Sequence, residues 1–189
     1  MNFLTIKSFF VTFLLLLTTA HAWATIPDSC IKAQDICSEW VALDVNGSRG
    51  FIYRTHALTS PNQKIEKAVV VVHGQGRNAD GYFRHMLAAA FLADALQNTL
   101  IISPRFASNN GRSCLDQMDA REVGWICSGA DSWRSGGNRA KGTGAELNSF
   151  DFMDAILSKL SNEKMFPNLK SIVIAGHSAG GQYVNRYQF

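Results

Sequence analysis

The sequence predicts an α/β fold, with a mostly parallel sheet and helices on both faces. Three observations lead there. The run Lys67-Ala68-Val69-Val70-Val71-Val72 is apolar without alternation, as in a strand covered on both faces at the centre of a parallel sheet. Strand-like and helix-like stretches then take turns along the chain, which is the signature of βαβ units. Finally, the β-branched run Ser171-Ile172-Val173-Ile174 leads into Gly176-His177-Ser178-Ala179-Gly180-Gly181, a glycine-flanked serine between a strand and a helix-compatible segment.

Each element has its own local reason. Residues 51–55, Phe-Ile-Tyr-Arg-Thr, are rich in strand formers and follow Gly50. Ser60-Pro61-Asn62-Gln63 breaks the chain as a turn. The valine strand ends in His73-Gly74-Gln75-Gly76, and a helical pattern follows over residues 81–96. Phe83, Leu87, Ala90 and Phe91 share one face of it. Residues 99–103 form another apolar strand, halted by Pro104. Residues 105–142 show no periodicity, and they are too many for a passive connection in a compact domain. Thr143-Gly144-Ala145-Glu146 reads as a capping box that opens a helix with a stripe of Phe150, Met153, Ile156, Leu157 and Leu160. Pro167 closes that connection, and the serine-bearing strand comes next.

At 189 residues the chain is long enough for one domain with a sizeable core, and its 47% apolar content is ordinary for a globular protein. The net charge is only +3, with scattered basic residues, which argues against a nucleic-acid surface. Residues 1–24 read as a cleaved signal peptide: Lys7, then an apolar stretch from Phe9 to Leu17, then small-x-small cleavage sites ending at Ala22 or Ala24. Residues 25–189 then form the domain, secreted or periplasmic, with no stable membrane span after cleavage. Four cysteines suit that compartment. Pairing Cys30 with Cys37 and Cys114 with Cys127 is the simplest of the three connectivities. No Cys or His spacing fits a zinc site, so neither a metal nor a cofactor is expected.

The apolar strand ending in His73-Gly74-Gln75-Gly76, followed by the later Gly176-His177-Ser178-Ala179-Gly180 strand exit, resembles the α/β-hydrolase fold. The stretch His73-Gly74-x-Gly76-x-x-Ala79 is most similar to exported esterases and polyester depolymerases. The resemblance covers residues 51–189. It implies that Ser178 is a nucleophile attacking a small-molecule or polymeric ester to give an acyl-enzyme. It also implies an oxyanion hole made of the backbone N–H groups of Gln75 and Ala179, with Gly74, Gly176 and Gly180 shaping the two turns. Residues 105–142 are then expected to border the site. Trp125 and Trp133 either line its pocket or pack on the core. His177, adjacent to the serine in a tight turn, is expected to have a packing or hydrogen-bonding role rather than to act as the base.

The same resemblance places the acid and the histidine of a triad after the serine, yet the sequence stops eleven residues beyond Ser178. His56, His73 and His85 all precede it. The expectation is therefore an incomplete, N-terminal part of an exported serine hydrolase, inactive as the 189-residue chain alone. The alternative is an inactive protein that keeps the fold as a binding or interaction module. Substrate identity and oligomeric state have no signal in the sequence.

Overall fold

The computed structural model describes residues 29–32, 37–44, 46–141 and 146–188, with residues 139–141 described by their backbone alone. The expected signal peptide at 1–24 lies outside them. So do three residues of the expected capping box, Thr143, Gly144 and Ala145.

Among the described residues the architecture is α/β, a five-stranded mixed sheet with three helices. In chain order the elements are β1 (Ser38–Ala42), β2 (Arg49–Arg54), β3 (Lys67–Val72), α1 (Ala79–Leu92), β4 (Thr99–Arg105), β5 (Gly124–Trp125), a 3₁₀ turn (Trp133–Ser135), β6 (Arg139–Lys141), α2 (Ser149–Leu160), β7 (Ser171–Gly176) and α3 (Ala179–Tyr187). The large sheet has the order β1-β2-β4-β3-β7, and β5 pairs with β6 in a small ribbon.

The expectation of a mostly parallel sheet needs correction. β3 is parallel to both β4 and β7, but β2 is antiparallel to β4 and to β1. The physical reason is the length of the connection. β1 and β2 are joined by a tight turn closed by Leu43 N–H donating to the Ser48 carbonyl at 2.8 Å, and so short a link permits only an antiparallel pair. The Asp44 carboxylate braces that turn by accepting from the N–H groups of Asn46 and Ser48, each at 2.9 Å.

Alternation along the strands sends side chains to two layers. Val70, Val72, Leu100 and Ile102 face a core shared with Phe152, Met153, Ile156 and Leu160 of α2 and Tyr183 of α3. Ile101 faces the other way, onto Phe83, Leu87 and Ala90 of α1. Helices therefore cover both faces. Phe91, placed by the same spacing on the buried stripe of α1, is instead exposed beside Leu92 in the last turn. Among the described residues β7 is one of the sheet's two edge strands, opposite β1, and its Ile172 and Val173 are exposed.

The start of α2 also differs from expectation. The helix begins at Ser149, and its cap is Asn148, whose side chain accepts from the N–H groups of Phe150 (2.8 Å) and Asp151 (3.2 Å). Asp151 returns the bond by accepting from Asn148 N–H at 2.7 Å. Asn and Asp serve the reciprocal capping geometry as well as Thr and Glu do, and this pair lies nearer the apolar stripe.

The long segment after β4 is held by buried anchors. Trp125 and Trp133 are fully buried; Trp133 stacks on Phe106 and Trp125 on Phe152. Disulfides join Cys30 to Cys37 and Cys114 to Cys127, with Cα separations of 5.4 and 6.1 Å, in the local pairing expected. Arg105 forms a two-pronged ion pair with Glu122, whose carboxyl is pushed above the usual range by burial, against the pull of the arginine.

Candidate functional site

β3 and β7 are parallel and in register to their ends, with Val72 opposite Gly176. Their exits therefore lie side by side. What leaves β7 is a sharp turn into α3. Ser178 is the N-cap of that helix and has φ 56° and ψ −118°, a region that L side chains rarely adopt and that costs about 1–3 kcal/mol. It persists because the neighbours permit nothing wider. A Cβ on Gly176 would lie 2.3 Å from the Gly180 carbonyl oxygen, and one on Gly180 would lie 2.3 Å from the Val72 oxygen and 2.6 Å from that of His73. Only glycine allows α3 to start this close to both strands. Ser178 is exposed, while Ala179 behind it is buried. As the first residue of α3, Ala179 has a backbone N–H with no acceptor inside the helix.

What leaves β3 is the loop from His73 to Asn78. Both ring nitrogens of His73 are engaged. Nε2 accepts from the Phe106 N–H at 2.9 Å, which leaves Nδ1 to carry the proton and donate to the Gly74 carbonyl at 2.8 Å. The ring ties the exit of β3 to the exit of β4. Complete burial holds its pKa down at about 4, so the ring is neutral. It lies edge-on to Trp133, with centroids 4.9 Å apart. Gly74 faces the serine turn: a Cβ there would lie 3.7 Å from the Ser178 Cβ and 3.1 Å from the Tyr82 hydroxyl.

Gln75 is fixed from three sides. Its carbonyl accepts from the Arg77 guanidinium at 2.7 Å, its side-chain amide donates to the Cys127 carbonyl at 3.2 Å, and its side-chain oxygen accepts from Arg134 at 2.9 Å. Its backbone N–H donates to no acceptor among the described residues. Arg77 is buried, adopts φ 54°, and makes a two-pronged ion pair with Asp116 at 2.6 and 3.2 Å. Asp116 also accepts from the Ser108 N–H at 2.8 Å. The loop is thereby stapled to the segment carrying the second disulfide. None of Arg77, Asp116, Tyr82 or Arg134 stood out in the sequence. The two-pronged Arg77–Asp116 pair spans 39 residues, and no local pattern marks it.

His177 donates to or accepts from the Tyr82 hydroxyl through Nδ1 at 3.1 Å, in keeping with a hydrogen-bonding role. His56 is buried and accepts from Asn62 at 3.2 Å, and burial lowers its pKa. No described histidine hydrogen-bonds Ser178. Trp125 and Trp133, weighed as pocket residues or as core, sit fully buried in the aromatic cluster, which is the core placement. A cavity of about 340 Å³ opens at the opposite end of β7 from the serine, between the end of α2 and Ser171–Ile172.

No known protein-family profile matches the chain, and no curated protein matches it in sequence. Among solved structures, poly(aspartic acid) hydrolase-1 from Sphingomonas sp. KT-1 is similar, with a TM-score of 0.45 and 20% identity over 79% of this chain and 49% of that one. The chain spans about half the length of that hydrolase.

Proposed function

We propose that the chain belongs to an exported serine hydrolase of the α/β-hydrolase fold that cleaves an ester. The observation that carries the reading is the backbone of Ser178, an exposed serine at φ 56° on a strand-to-helix turn, wedged between two glycines that no other residue can replace. Strain of this kind is kept where a side chain has to be presented. In the reaction the Ser178 oxygen attacks the carbonyl carbon and its proton passes to a general base. The carbonyl oxygen, now negative, is met by the N–H groups of Ala179 and Gln75. The C–O bond then breaks, the alcohol leaves with a proton, and water releases the acid from the acyl-enzyme. The two disulfides support an extracellular or periplasmic setting.

One observation favours a second reading, a binding module that keeps the fold without turnover: no described histidine reaches Ser178 as a base. Labelling with a fluorophosphonate separates the two. On the protein as its source exports it, the hydrolase reading expects covalent capture that disappears in Ser178→Ala. A folded protein that takes no label would leave the module.

A further inference from the structure

We propose that Arg134 and Arg186 form a cationic ledge beside the Gln75 loop that selects substrates bearing a carboxylate near the scissile bond. The proposal rests on the hydrolase reading of Ser178. Its first support is position. Arg134 Nη1 donates to the Gln75 side-chain oxygen at 2.9 Å, so this guanidinium is anchored on the residue whose N–H faces the developing oxyanion. Arg186 lies on α3, the helix that Ser178 caps, and its Nη1 donates to the Arg134 carbonyl at 3.1 Å. Both charges are thus tied to the two elements that frame the serine.

The second support is what these arginines lack. Arg49, Arg54, Arg77, Arg84 and Arg105 each pair with a carboxylate. Among the described residues Arg134 and Arg186 pair with none, as do the exposed Arg112 and Arg121; the partners of Arg134 and Arg186 are two side-chain amides and a carbonyl, all neutral. Two like charges on neighbouring elements, one half-buried and one exposed, are oriented by neutral acceptors, which leaves guanidinium N–H groups free for an anion. The planar fork of arginine matches a carboxylate in particular. The third support is order. Gln75 is itself locked by Arg77 and the Cys127 carbonyl, so the ledge is set before a ligand arrives and little freedom is lost on binding. The substrate class is therefore an ester whose acyl or alcohol part carries a carboxylate a few bonds from the carbonyl, as a free acid or as part of an acidic chain.

The test compares two aryl esters of matched length, 4-nitrophenyl pentanoate and the 4-nitrophenyl half-ester of glutaric acid, on the full protein. We expect the anionic ester to be preferred about tenfold in kcat/KM. The preference should shrink as ionic strength rises. It should be lost in Arg134→Gln and Arg186→Gln and largely retained in Arg134→Lys. Equal turnover of both esters would overturn the ledge and leave the hydrolase reading intact. If neither ester turns over and Ser178 takes no fluorophosphonate, the hydrolase reading fails. Glutarate binding, followed by NMR, then decides the ledge: binding weakened by Arg134→Gln sustains an anion site there, and no binding overturns it.

Discussion

His73 links the acid stability of the fold to the geometry beside the serine. Its ring is fully buried, and both nitrogens are committed, Nε2 as acceptor and Nδ1 as donor. Protonation would take the acceptor away from the Phe106 N–H and place a charge among Phe106 and Trp133. The folded pKa is accordingly about 4, against an ordinary value of 6.5. The depressed value means that the unfolded chain binds this proton more readily than the folded one. The contribution to stability is therefore fully present above pH 6.5 and is lost as pH falls toward 4. That depression corresponds to roughly 3 kcal/mol over the whole window, of which about 2 kcal/mol is gone by pH 5. Urea unfolding at pH 7 and pH 5, in wild type and His73→Gln, reads this directly. The variant should be less stable at pH 7 and lose about 2 kcal/mol less on acidification, because the desolvated His56 remains in both proteins. A His73 ring resonance that titrates near 6.5 in the folded protein would refute the reasoning, as would equal acid sensitivity of the two proteins.

Two further substitutions probe the turn and the helix behind it. Gly180→Ala puts a methyl 2.3 Å from the Val72 oxygen, and since both partners are backbone, α3 has to lift off the sheet; we expect a loss of at least about 3 kcal/mol and little soluble protein, measured by expression yield and chemical unfolding. Asn148→Ala removes the acceptor for two N–H groups at the start of α2 and should lower stability by about 1 kcal/mol, seen as a shifted urea midpoint, without changing the rate of fluorophosphonate labelling.

The parts of the fold legible in the sequence are those whose cause is local. The non-alternating valines of β3, the apolar run of β7 and the stripe of Phe83, Leu87 and Ala90 each carry their environment in their own spacing. The turn around Ser178 is likewise written in five consecutive residues. β1 was hidden because Ser38–Ala42 is short and half-buried, and its strand character comes from pairing with β2 rather than from its own pattern. The antiparallel half of the sheet was missed with it. The start of α2 was misplaced because two capping motifs compete within a few residues, and packing of Phe152 and Ile156 favours the later one. The polar frame of the site had no local signature at all. Arg134 meets Gln75 across 59 residues and Tyr82 meets His177 across 95, so only the folded chain reveals them.

The placement of the serine follows from the register of the parallel strands more than from the turn itself. Gly180 can approach the Val72 and His73 carbonyls only while Val72 stands opposite Gly176, and His73 can reach the Phe106 N–H only while β3 and β4 end at the same level. A slip of one residue would reverse every side chain of β7 and carry the glycine away from its contact. Perturbing His73 or Gly180 should therefore damage fold and reactivity together. Arg134 and Arg186 stand apart from that coupling. They are anchored on the finished frame by bonds to an amide and a carbonyl, and neither contributes to the buried core. Ligand preference on this protein should thus be separable by mutation from the presentation of Ser178.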